Sequence, residues 1–112
     1  FTGFSYAFSY LGITEIISDN ADKGSAPTDT GGDKNLLDDL TFTSTAGSIR
    51  AMWETWYKTI GRANYAIAFA QEEGGEDSER LIGEAKFLRA LTYFYLVRSF
   101  GDVTIQGEVE FV

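Results

Sequence analysis

The stretch GEAKFLRALTYFYLVRSFGDV, residues Gly83–Val103, decides the fold of this chain. It reads as one helix that starts amphipathic and ends apolar on almost every side. Charges sit at Glu84, Lys86 and Arg89; then Leu91, Tyr93, Phe94, Tyr95, Leu96 and Val97 wrap most of the circumference. A helix apolar all round is buried by neighbours or lies in a membrane. A bilayer span takes about 20 apolar residues, and this segment is too short and too charged at its start. It is therefore a core helix, and its last turns need partners.

Its first partner lies immediately upstream. Ser48–Gln71 predicts a helix of about 36 Å at 1.5 Å per residue. Ile49, Trp53, Trp56, Ile60, Ala63 and Ile67 form a core stripe, and Arg50, Glu54, Lys58 and Arg62 make an i,i+4 ladder on a solvated face. Gly74-Gly75 stops this helix. Asp77 or Ser78 caps the next, with Glu79 in its first turn, and Gly101 ends it. Two long helices joined by a short turn make an antiparallel helical hairpin. Beyond it, Val103, Ile105, Val109 and Phe111 alternate around Gln106-Gly107, which allows a short C-terminal β-ribbon.

Upstream the pattern changes. Phe1, Phe4, Tyr6, Phe8 and Tyr10 crowd the start, where Phe4, Phe8 and Leu11 fit a helical stripe that Gly12 ends; Thr14–Ser18 reads as a short turn or extended piece. Residues 18–45 form a long polar loop rich in turn formers. Loops beyond about 12–15 residues are uncommon in compact domains and are usually functional or disordered. Between Glu15 and Asp39 seven acids face two lysines, a net −5 of the chain's −8. Leu36, Leu37 and Leu40 are expected to pin the loop's exit.

The 112 residues suit one domain, and the apolar share of 44% is globular. There is no cysteine and no histidine, which removes thiolate chemistry, the commonest general base and the commonest metal ligand. A net charge of −8 argues against nucleic acid and anionic membrane surfaces.

Motifs that carry chemistry are few. Asp19, Asn20, Asp22 and Gly24 suggest a calcium loop, but Ala21, Lys23 and Thr30 occupy positions where that loop needs oxygen ligands, so a solvated acidic turn is the better reading and no metal is expected. Asp38-Asp39 and Glu72-Glu73 are adjacent pairs with no defined separation across a cleft. Gly31-Gly32-Asp33-Lys34 lacks the phosphate-loop pattern, having no strand before it and no helix expected directly after. Trp53 and Trp56 fall on the core stripe.

Four pieces in order resemble the SusD/RagB family, the glycan-binding surface lipoproteins of Bacteroidetes outer membranes. They are SDNADKGS at 18–25, TFTS at 41–44, WETWYKTIGRAN at 53–64 and the helix at 83–103. The resemblance implies tetratricopeptide-like helical pairs; Tyr57, Ile60, Gly61, Ala90 and Phe94 carry part of that repeat signature. It implies that residues 1–112 are a single partial domain, the N-terminal helical part of a longer protein. It also implies an upstream lipidated cysteine, absent from these residues, as the only membrane attachment. The implied function is non-catalytic oligosaccharide binding at the cell surface, feeding a SusC-like TonB-dependent transporter. Two departures stand out: Thr104 follows Gly-Asp-Val where the family usually has proline, and Gly24–Asp38 contains no aromatic residue to stack on sugar.

The expectation is an all-α protein: an antiparallel helical hairpin of tetratricopeptide-like type, a long polar loop and, as an option, the β-ribbon. No catalysis and no cofactor are expected, and no nucleic-acid partner. Asp29, Asp33, Lys34 and Asn35 are the candidate ligand-binding residues, as hydrogen-bonding groups of the polar loop. The rival reading is a tetratricopeptide-like scaffold that binds a protein and no sugar.

Overall fold

The structure is a computed structural model that describes residues 4–18, 20–26 and 28–107. Its regular elements are all helical: α1 Phe4–Leu11, a π-helical turn Gly12–Ile16, α2 Gly32–Asp38, α3 Gly47–Glu73 and α4 Ser78–Phe100. The all-α expectation holds. The chain divides into two compact units, Phe1–Thr55 and Trp56–Val112.

In the first unit Gly12 does not stop the helix. The path continues as a π turn, closed by the Ile17 amide donating to the Gly12 carbonyl at 3.1 Å, so residues 14–16 are helical rather than extended. Glycine allows a close approach here. A Cβ on Gly12 would stand 3.1 Å from Leu37 Cδ1, 3.5 Å from Ser48 Oγ and 3.6 Å from Lys34 Cε. The π turn touches α1 and α2 in this way, and Ile16 and Leu37 are buried.

The polar loop is also shorter than expected, because α2 lies within it and begins at Gly32, directly after Gly31. Seven residues with one strong apolar anchor give little periodicity, and so short a helix forms only where tertiary contacts hold it. Of the three leucines expected to pin the exit, Leu37 is buried while Leu36 and Leu40 are exposed. Leu40 closes α2 with φ 54°, its amide on the Leu37 carbonyl and the Thr41 amide on the Leu36 carbonyl. That is a Schellman closure with leucine where glycine is usual.

Helix α3 runs 27 residues, or about 40 Å. Arg50, Glu54, Lys58 and Arg62 are exposed as expected, and Arg50 Nε meets Glu54 Oε1 at 2.8 Å. Of the expected core stripe, Trp56, Ile60, Ala63 and Ile67 are buried. Met52 and Asn64 are buried as well, whereas Trp53 is 40% exposed. Trp56 was placed correctly and Trp53 was not. Both fit an apolar arc, and Trp53 falls on its edge, beside the exposed Glu54.

The second unit is the helical hairpin. The Trp56 ring stacks on Tyr95 at 5.9 Å and meets the edge of Phe100 at 6.2 Å; two turns further along α3, Asn64 bonds Arg89. Rising numbers on α3 pair with falling numbers on α4, so the helices are antiparallel. The turn is made by Gly74 and Gly75, at φ 64° and 107°, a backbone that residues with a Cβ rarely adopt. The expected side-chain cap is missing: the Asp77 carboxylate accepts from Arg80 Nε at 3.4 Å instead. Gly101, at φ 75°, follows the end of α4. Residues 103–107 form no ribbon, and Val109 and Phe111 lie outside the described residues.

Candidate functional site

The polar segment after the π turn is built around Lys23. Its side chain is largely covered, and Nζ donates to the Ala26 carbonyl at 3.1 Å and to Asp29. The Lys23 amide donates to Asp38 Oδ2 at 3.2 Å, which ties the segment to the end of α2. The Lys23 ammonium and the Ser25 hydroxyl hold the Asp29 carboxyl below its usual range. Asp29 itself stays exposed.

Asp33 and Lys34 form a second cluster, on α2. Gly31 precedes it in a left-handed conformation (φ 89°), where an added Cβ would stand 3.1 Å from the Phe8 ring. Lys34 is only 5% exposed, yet its ammonium is satisfied. It lies 3.2 Å from Asp33 Oδ1 and 4.4 Å from the centroid of Phe8, so a carboxylate and a ring face replace the water it lost. Asp33 Oδ2 accepts from the Ser48 amide at 2.9 Å and from the Ser48 hydroxyl. It thus supplies, from another element, the anionic cap that the first turn of α3 lacks in its own sequence. Partial burial pushes the Asp33 carboxyl up, but the donors Ser48 and Lys34 more than offset this and leave it below its usual value.

The structure therefore brings Asp33 and Lys34 together, with Ser48, in a fold-holding lock. Asp29 belongs to the Lys23 knot. Asn35 is half-buried on α2, where its carbonyl accepts the Asp39 amide at 2.9 Å. Asp19, part of the calcium-like run, lies outside the described residues.

A further polar constellation escaped the sequence reading. Asn64 is buried between α4 and the tail. Its Oδ1 accepts from Arg89 Nη1 at 2.7 Å, and its Nδ2 donates to the Gly107 carbonyl at 2.9 Å. The Tyr57 hydroxyl donates to the Thr104 carbonyl at 2.8 Å, and the Gln106 amide donates to the Tyr93 hydroxyl at 2.7 Å. Three side chains, Tyr57, Asn64 and Tyr93, thus clamp the backbone of residues 104–107, and Arg89 holds Asn64. The available signal was Asn64 on the row Met52, Trp56, Ile60: a polar residue on an apolar i,i+4 line demands a partner.

These residues fall inside the stretch that a family model matches. A family model described as "Starch-binding associating with outer membrane", SusD-like, matches residues 12–110. A "SusD-like protein P2" of Formosa agariphila is 33% identical over 89 residues, covering 78% of this chain and 17% of that protein. The chain belongs to the SusD-like family, and its helical hairpin is the family's tetratricopeptide-like element. It spans about a sixth of the length of the curated relative it matches. No solved structure matches the chain at a significant level. Among the described residues no helix is long and apolar enough to cross a membrane.

Proposed function

We propose that residues 1–112 are the N-terminal helical part of a larger SusD-like protein. In this reading the protein captures oligosaccharide at the bacterial surface without chemistry and passes it to a SusC-like TonB-dependent transporter. The observation that carries it is the family match over residues 12–110. Two features support a larger whole: the chain covers 17% of its relative, and α4 leaves Phe87, Phe94 and Val97 exposed. Attachment to the outer membrane is assigned to a lipidated cysteine upstream.

Within the chain, the polar segment is the proposed ligand contact. Asp29 and Asn35 meet sugar hydroxyls directly, as acceptor and as donor–acceptor. Asp33 and Lys34 take part by fixing α2 against α3. Residues Gly24–Asp38 contribute hydrogen bonds and no stacking, because they contain no aromatic ring; stacking comes from elsewhere in the protein.

Calorimetry of the intact protein against an oligosaccharide panel tests this. Binding to at least one glycan is expected, weakened by alanine at Asp29, Asp33, Lys34 and Asn35 together. Unchanged affinity in that variant removes the polar segment as a contact. No binding to any oligosaccharide favours the tetratricopeptide-like protein scaffold. Fatty-acid labelling of the gene-encoded protein tests the anchor.

A further inference from the structure

The flank of the hairpin away from residues 104–107 carries a cleft of about 620 Å³ at the α3–α4 turn. Its floor is apolar: Phe69 and Ala70 from α3, Leu81 and Leu88 from α4. Phe69, Leu81 and Leu88 are each about half exposed. Leu81 and Leu88 are seven residues apart and share one side of α4. Phe87 and Phe94 share another, rotated by about 100°. The cleft is therefore separate from the outward apolar face.

The rim is acidic. Glu73, Glu76, Asp77 and Glu84 line it, and no basic residue does. Arg80 spans Asp77 and Glu84, with Nη1 2.9 Å from Glu84 Oε1. Among the described residues neither Glu73 nor Glu76 meets a cation. Their setting sharpens the demand. Helix α3 ends at Glu73 with Glu72 and Glu73 in its last turn and no basic residue there. A helix C-terminus carries partial negative charge and is stabilised by cations, so these two glutamates stand where lysine or arginine belongs.

We propose that this cleft docks a cationic amphipathic helix of a protein partner. Its apolar residues fill the floor, and its lysines or arginines reach Glu73, Glu76 and the α3 terminus. The charge pattern selects this occupant. A second copy of the chain would bring the same acidic rim, and nucleic acid or an anionic bilayer would bring more negative charge. The inference does not depend on glycan binding.

The test uses the intact protein and two synthetic peptides of about 15 residues. One is a Leu/Lys amphipathic helix; the other keeps the leucine pattern and replaces lysine by glutamate. Fluorescence anisotropy should show binding of the Leu/Lys peptide and none of the Leu/Glu peptide. Glu73→Gln with Glu76→Gln should raise Kd roughly fivefold and flatten its salt dependence. Leu88→Ser, at an exposed floor position, should raise Kd roughly tenfold while the thermal midpoint stays near wild type. Glu54→Gln, outside the cleft, should leave Kd unchanged. Equal loss in all variants, or no loss in any, would show attraction to overall negative charge alone and overturn the proposal. Failure of the Leu/Lys peptide to bind would also overturn it, because the floor is then covered by the protein's own chain.

Discussion

Asp33 takes two bonds from Ser48 while pairing with buried Lys34, so one carboxylate holds α2, the start of α3 and a desolvated ammonium. Its folded pKa lies below the unfolded value of about 3.9. A group depressed in the folded state stabilises above the unfolded pKa, and that stability is lost as pH falls through the folded pKa. Asp33→Asn should therefore cost about 2 kcal/mol at neutral pH and flatten the acid limb below about pH 4. Urea midpoints across that range check this; an unchanged acid limb would assign it to other carboxylates. Leu40 offers the opposite sign. It is 64% exposed at φ 54°, so glycine removes backbone strain without losing packing. Leu40→Gly should raise stability by about 0.5–1 kcal/mol, read by thermal denaturation. None of this was legible in the sequence. Asp33 and Lys34 read as polar loop residues because their partners, Ser48 and Phe8, lie 15 and 26 positions away.

Among the elements, the long ones were legible and the short ones were not. α3 and α4 announce themselves by apolar spacing over many turns and by Gly74-Gly75 and Gly101 at their ends. α2 has seven residues and no comparable pattern, so it merged into the loop. The tail is held by side chains rather than by strand pairing, which is why alternation at Val103 and Ile105 suggested a ribbon the described residues do not form. Asn64→Ala should remove its hydrogen bonds with Arg89 and with the Gly107 carbonyl together and cost about 2–3 kcal/mol. Limited proteolysis should then cut after Val103 faster than in wild type. Unchanged cleavage would show that Tyr57 and Tyr93 suffice to hold the tail.

At the scale of the whole molecule, a charge of −8 coexists with half-exposed apolar side chains along α4, including Phe87 at 67%. Monomers rarely leave contiguous patches beyond a few hundred Å² uncovered. The 112-residue chain by itself should bind a hydrophobic dye and associate with rising concentration, as read by fluorescence and by sedimentation. A dye-silent monomer that melts cooperatively would show that these residues suffice as a domain. The sequence by itself determined the helical class, the two long helices, their turn and the family, because those rest on periodicity and on local backbone chemistry. The tertiary structure alone decided which tryptophan is buried, that Gly12 is a contact rather than a stop, and that Asp33, Lys34, Asn64 and Arg89 hold the fold. The reason is physical: a polar side chain declares its role through its partner, and those partners are distant in the chain and adjacent only once it has folded.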